Sequence, residues 1–150
     1  MVRYAIYCRR SQERDERQIQ SLEDQQTVAY RLRDGKQLEV VEELAESISA
    51  KEPYRRPGFS RLISLVEKGV INGIITWHPD RLSRNEVDAA SVTYLIRKGK
   101  LLDLQFGNYS FDNSPEGIMM LQMALSQSQY QSSKLARDVR RGVDSKADKG

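Results

Sequence analysis

The chain is predicted to fold as an α/β domain on a largely parallel sheet, and three observations carry that prediction. Short runs with the two-residue period of a strand alternate with longer runs at helical spacing over residues 1–113. Glycines at 35, 69 and 99 stand where the helical runs end. The length of 150 residues with 39% hydrophobic side chains suits one domain with a real core. No apolar run approaches the roughly 18 residues of a membrane span. The single cysteine, Cys8, excludes an internal disulfide and a cysteine-based zinc site. Met1-Val2-Arg3-Tyr4 is no apolar leader, so a cytoplasmic location is expected.

The elements follow in order. Val2, Tyr4, Ile6 and Cys8 alternate with Arg3, Ala5 and Tyr7 as a first strand. After a polar loop from Arg9 to Arg17, Ile19, Leu22, Ala29 and Leu32 share one helical face that Gly35 should stop. Leu38 to Val41 reads as the second strand. Phe59, Leu62, Ile63 and Val66 keep the spacing of an amphipathic helix closed by Gly69. Val70 to Trp77 is a third strand, Glu86 to Lys98 a third helix ended by Gly99, and Leu101 to Phe106 a fourth strand.

The last element differs in kind. Ser114 can cap and Pro115 can open a helix that nothing but Gly117 and Gly142 interrupts until about Asp148. At 1.5 Å per residue it would span about 50 Å, whereas a chain of this length folds to roughly 40 Å across. Ile118 to Leu125 is apolar around most of its circumference, and one sheet covers only one side, so Met119, Met120, Leu121 and Met123 are expected to mediate self-association. A Ser/Gln neck from Ser126 to Ser133 follows. Residues 134–150 then place six Lys and Arg against three Asp and hold the whole formal net charge of +3. Lys134, Arg137, Arg140 and Arg141 are therefore expected to meet a polyanion such as DNA, the alternative being a merely solvated helix end.

In open α/β sheets ligands bind beyond the carboxyl ends of the strands. That rule gathers Arg9 and Ser11 after strand one, Glu46, Ser49 and Arg56 after strand two, and Asp80, Arg81 and Arg84 after strand three. Guanidiniums present forked donors that fit phosphate oxygens, and a cluster of them calls for a phosphate as missing counter-charge. A serine among them could attack a phosphodiester while the arginines stabilise the charge that builds in the transition state. No metal is expected, because the acidic residues form no two-metal set.

Five strings in order, Tyr7-Cys8-Arg9-Arg10-Ser11, Ser21-Leu22-Glu23-Asp24-Gln25, Ile48-Ser49-Ala50, Arg55-Arg56-Pro57-Gly58-Phe59 and Asp80-Arg81-Leu82-Ser83-Arg84, resemble the motifs of the serine recombinase (resolvase/invertase) catalytic domain. The resemblance covers essentially the whole chain and is nearest to the large serine integrases and transposases of mobile elements. It implies a resolvase-like three-layer domain, with a mostly parallel four- to five-stranded central sheet flanked by helices and a long C-terminal helix. It makes Ser11 the nucleophile that forms a 5′-phosphoserine link to DNA, with Arg9, Arg81 and Arg84 on the scissile phosphate. Arg56, Asp80, Gln25 and Ser49 match further catalytic-site positions, and Arg137 matches an arginine of the long helix. It also implies double-stranded DNA as partner, homodimers and homotetramers in the active assembly, no cofactor, and a bacterial or phage-encoded, nucleoid-associated protein. Residues 1–113 would be the catalytic core and residues 114–150 the oligomerisation and DNA-contacting helix, with the downstream DNA-binding segments of large members absent. Ala50 and Glu46 depart from the usual glycine and aspartate, and Tyr130 stands where a glutamate is common.

Several readings stay open on sequence. The acceptor of the Ser11 proton is water, a carboxylate such as Asp80, or an arginine acting through hydrogen bonds. A hydrolase triad through His78, the only histidine, lacks any feature fixing base beside nucleophile, and no G-x-S-x-G, G-x-G-x-x-G or P-loop string is present. Cys8 and Trp77 read as core. A catalytically inactive assembly module on the same scaffold is the alternative, set against a complete Arg9, Ser11, Arg56, Arg81 and Arg84 set.

Overall fold

Strand β1 (Arg3–Arg10) is the hub of the domain, with its six inner residues all buried. The computed structural model describes residues 1–10, 21–50 and 53–126. From β1 the chain passes through α1 (Leu22–Lys36), β2 (Glu39–Ser47), α2 (Pro57–Glu67), β3 (Gly73–Thr76), the single turn α3 (Pro79–Leu82), α4 (Glu86–Arg97) and β4 (Asp103–Phe106). The four strands form one sheet in the order β2-β1-β3-β4, every pairing parallel. Helices cover both faces, which makes three layers. Tyr4, Ile6, Cys8 and Ile75 pack with Ala29 of α1 on one face. Ala5, Tyr7, Ile74, Leu104 and Phe106 pack with Phe59, Leu62 and Val66 of α2 and Val92, Leu95 and Ile96 of α4 on the other. A central parallel strand loses its polar face this way, which is why β1 carries apolar side chains on both sides.

Several boundaries differ from the sequence expectation, β4 for instance starting at Asp103 rather than Leu101, and three of them have a visible cause. Gly35 lies inside α1, and the left-handed residue is Gln37 (φ 55°), whose N–H bonds the Arg33 carbonyl. β2 extends to Ser47 rather than stopping at Val41; its carboxylates read as loop, yet an edge strand tolerates charge. β3 starts at Gly73, because Val70 still donates to the Leu65 carbonyl at 3.0 Å as part of the turn that ends α2. Gly69 and Gly99 do take positive φ, as their places predict.

One irregularity aims the site. Tyr4 pairs with Val40 but Ala5 pairs with Glu42, so Val41 is an extra residue in β2. A bulge of one residue exchanges the faces of everything beyond it. Val40 accordingly packs on the α1 side, whereas Leu44 packs on the α2 side and Glu46 reaches α2.

Residues 115–126 are helical, with Ser114 Oγ accepting the Gly117 N–H at 3.0 Å. Leu121 and Leu125 are fully buried in the core and Ile118 packs against it. The expectation that Leu121 mediates self-association is thereby corrected: it lies on the inner face, at the three- and four-residue spacing that a single helix turns toward its own sheet. Met119, Met120 and Met123 are 59%, 60% and 65% exposed on the outer face. The rest of the expected long helix, the Ser/Gln neck beyond Ser126, Lys134, Arg137, Arg140 and Arg141 lie outside the described residues, as do Ile19 and Ser11. Among the described residues no helix is long and apolar enough to cross a membrane.

Candidate active site at the carboxyl ends of the strands

Arg9 sits one residue from the end of the central strand and is completely buried. Its guanidinium turns inward: Nε donates to the Arg81 carbonyl at 3.2 Å, Nη1 to the Ile48 carbonyl at 3.1 Å and Nη2 to the Asp80 carbonyl at 2.8 Å. A rigid fork with donors on every nitrogen thus ties together the loop after β2 and the turn α3. Gln25 of α1 grips the backbone of the same residue, accepting the Arg9 N–H at 3.2 Å and donating to the Arg9 carbonyl at 2.9 Å. The strand end that leads into Ser11 is therefore held from both sides.

Arg56 is 1% exposed and occupies the other side of α3. Nη1 donates to the Tyr7 hydroxyl at 3.2 Å and the Arg81 carbonyl at 3.1 Å, and Nη2 donates to the Leu82 carbonyl at 2.5 Å and to Asp88 Oδ2 at 3.0 Å. Its carbon stands 4.0 Å from the Phe59 ring centre. Because Arg56 is the residue before α2 and its side chain turns inward, the helix lacks a cap of its own. Glu46 supplies one from β2, accepting the N–H groups of Gly58 and Phe59 at 2.9 Å each, as well as the Tyr7 hydroxyl. A Cβ on Gly58 would lie 2.8 Å from the Glu46 carboxyl carbon, so the glycine of the Arg-Pro-Gly-Phe string makes room for that cap. Burial, with the Glu46 carboxylate beside it, raises the Tyr7 hydroxyl far beyond its ordinary titration range despite the Arg56 charge.

The segment from α3 to α4 is fixed by its own polar network. Asn85 caps α4 by accepting the Asp88 N–H at 2.8 Å, and its amide donates to Asp88 Oδ2 at 2.8 Å and to the Ala50 carbonyl at 3.1 Å. Ser83 Oγ donates to the Asn85 carbonyl at 2.7 Å. His78 caps α3, its Nδ1 accepting the Asp80 N–H at 3.2 Å. Burial pushes the Asp80 carboxyl up, but the adjoining His78 ring and the charges of Arg81 and Arg9 outweigh it, and the carboxyl is held below its ordinary range.

Arg9, Arg56, Asp80 and Arg81 are thus joined by direct contacts, and Gln25 joins them through the Arg9 backbone. Ser49 and Arg84 are half-buried in the adjoining segments and hold polar contacts of their own. The reading that the clustered arginines need a phosphate as counter-charge is narrowed at Arg56, which has a carboxylate of its own. Asp88 pairs with Arg56, and Asp80 Oδ1 lies 3.8 Å from Arg81 Nε. Arg9 and Arg56 place further donors on main-chain carbonyls, which sequence spacing does not display. Asp88, Asn85 and Tyr7 were missed as parts of the site. Asn85 followed by Asp88 three residues on is a capping signature that could have flagged the first two. Cys8 is buried, its thiol pushed up to about 12 by burial and Glu43, as befits a core residue. Among the described residues no three His, Cys, Asp or Glu side chains group to hold a metal ion.

The family model for the N-terminal domain of resolvase matches residues 4–150. A putative DNA recombinase of Bacillus subtilis (strain 168) is 32% identical over 99 residues, which is 66% of this chain and 20% of that relative, so the chain spans about a fifth of its length. Solved structures share the fold, three of them as follows. The N-terminal catalytic domain of TP901-1 integrase superposes with a TM-score of 0.66 at 22% identity, covering 91% of this chain and 98% of that one. A resolvase family site-specific recombinase from Streptococcus pneumoniae gives 0.63 at 17% identity over 98% and 99%. The C-terminal catalytic domain of ISC1926 TnpA, an IS607-like serine recombinase, gives 0.59 at 20% identity over 95% and 99%.

Proposed function

This chain belongs to the resolvase N-terminal domain family of site-specific recombinases, and from that membership we propose that it is a DNA strand transferase in which Ser11 is the nucleophile. The observation that carries the reading is the direct bonding of Arg9, two residues before Ser11, to the carbonyls of Asp80 and Arg81. The end of the central strand and the arginine-bearing turn are one unit. Ser11 Oγ attacks a backbone phosphorus of double-stranded DNA, a phosphoserine bond forms, the bond from phosphorus to the 3′ oxygen breaks, and that oxygen leaves as a hydroxyl after taking a proton. The reverse attack by a 3′-hydroxyl restores the DNA and frees Ser11. One phosphate ester replaces another, so no nucleotide is consumed.

Within this scheme the arginines divide their work. Arg9 donates to three carbonyls and Arg56 to two carbonyls, the Tyr7 hydroxyl and Asp88, and the two brace α3 from either side. Arg81 and the half-exposed Arg84 then hold the phosphate, where preorganised donors stabilise developing charge most effectively. Asp80 tempers Arg81, Gln25 fixes the strand end, and Ser49 supports the phosphate pocket. Residues 1–113 act as the catalytic core. Residues 114–150 associate through Met119, Met120 and Met123 into dimers and tetramers and contact DNA through Lys134, Arg137, Arg140 and Arg141.

Incubating the protein with nicked duplex DNA carrying a recombination site should yield a protein-DNA adduct that survives denaturant, in EDTA as well as without it. Ser11→Ala should abolish the adduct with an unchanged circular dichroism spectrum. An adduct that persists in this variant removes Ser11 from the role, and one that EDTA abolishes removes metal independence.

A further inference from the structure

His78 is the residue whose surroundings the capping role leaves unsatisfied. Its Nδ1 faces two groups with opposite demands. The Asp80 N–H, 3.2 Å away, needs an acceptor. Asp80 Oδ1, also 3.2 Å away, needs a donor. A neutral ring with a bare Nδ1 serves the first and turns a lone pair toward the second. Asp80 Oδ1 is indeed a buried carboxylate oxygen with no hydrogen-bond partner among the described residues. An orphaned buried oxygen of this kind is costly and calls for an explanation. A proton on Nδ1 would supply the missing donor, at the expense of the cap bond. The ring is held at this fork by Tyr109, edge to face at 6.4 Å, which in turn stands edge to face on Phe106 at 5.4 Å.

Resting on the recombinase reading above, we propose that His78 is a proton-controlled positioning residue for that reaction: with Nδ1 bare it caps α3, and with Nδ1 protonated it engages the Asp80 carboxylate. Among the described residues, the charged and titratable groups that face the ring or its Asp80 partner are Asp80 and Arg81 of α3, Arg9 of β1, which bonds the carbonyls of both, and Tyr109 from the segment after β4. When His78 is neutral, the carboxylate faces the Arg81 guanidinium, with Oδ1 3.8 Å from Nε. When His78 is charged, the same carboxylate is shared between two cations, and more of the Arg81 charge is left for a DNA phosphate. Strand transfer is accordingly favoured on the acid side of the imidazole titration. Asp80 itself, held below its ordinary range, stays ionised through that window, so a change there belongs to the histidine.

Because His78 is the only histidine, its ring resonances in a proton NMR spectrum need no assignment. In the full chain, lowering the pH from about 8 to about 5.5 across the histidine range should move the Asp80 amide resonance in step with the ring. In His78→Asn, whose side-chain oxygen can still accept the Asp80 N–H, the amide should stay still. The ratio of adduct formation rates, wild type over His78→Asn, should rise about fivefold over the same interval, the order expected for one hydrogen bond exchanged for a partly exposed ion pair. His78→Ala, without cap or charge, should be slower at every pH. An Asp80 amide that ignores the ring titration, or a flat rate ratio, overturns the role of His78. Absence of any Ser11-dependent adduct at every pH instead overturns the recombinase reading, and the NMR result then still decides whether the two-state contact exists.

Discussion

Among the described residues the Asp88 carboxylate is the one charged partner that hydrogen-bonds the buried Arg56 guanidinium. Replacing Arg56 with Met would leave the carboxylate buried and uncompensated, a loss of about 3–5 kcal/mol by the usual cost of breaking one side of a buried pair. Urea denaturation should register it, and Arg56→Met combined with Asp88→Leu should recover part of the loss, which a purely steric role for Arg56 would not allow. Asp80 makes a pH-dependent contribution whose sign is set by its lowered carboxyl. A group that titrates lower in the folded chain stabilises above its ordinary value of 3.8, and that stability is lost as the pH falls toward the depressed value. Asp80→Asn should therefore flatten the acid limb of a stability-pH curve measured between about pH 3 and pH 6. At this scale the sequence shows which residue types gather, and hides which way they face. Nothing in Tyr7-Cys8-Arg9-Arg10-Ser11 indicates that Arg9 spends its donors on three carbonyls, because those acceptors belong to segments 39 to 72 residues away.

Among the elements, α2 depends on its neighbour for its start. Gly58→Ala would force the Glu46 carboxylate off the two amides it caps, with a Cβ 2.8 Å from its carbon. The expected cost is about 1–2 kcal/mol, the range for losing an N-cap, and thermal melting measures it. Glu46→Gln in the same background should then add little further loss, since the interaction is already gone. The helical stretch 115–126 divides its two faces more sharply than its composition suggests. Leu121→Ala should cost about 2–5 kcal/mol, as for a fully buried leucine, whereas Met119→Ser, Met120→Ser and Met123→Ser should barely alter folding of the isolated domain. Sedimentation of the methionine variants is the matching test of self-association, which those three side chains should weaken. Helical periodicity made Ile118, Leu121 and Leu125 legible as one face. The run was too apolar for the sequence to say which side the sheet takes. The Val41 bulge was illegible for a related reason, since an edge strand rich in carboxylates has no alternation to break.

For the whole molecule, the alternation of strands and helices was enough to read the layers and the parallel sheet. The rule that sites collect at strand carboxyl ends was enough to bring Arg9, Arg56, Asp80 and Arg81 together. What the sequence could not reveal is that Arg56 is paired internally with Asp88 and that Arg9 turns its donors to the main chain, because these groups become neighbours only after the chain packs. That finding shifts the expected source of DNA affinity outward. If two of the arginines brace the turn, long-range attraction must come from elsewhere, and residues 134–150 hold the net charge. Removing them should reduce the slope of log affinity against log salt by up to about five, the value for six lost phosphate contacts. An unchanged slope would mean the tail touches no phosphate. The central claim, that Ser11 receives a backbone phosphate beside the braced α3 turn, is tested most directly by tandem mass spectrometry of the nuclease-trimmed, protease-digested adduct. A nucleotide attached through its 5′ phosphate to the peptide containing Ser11 is the predicted result, and attachment to any other side chain contradicts it.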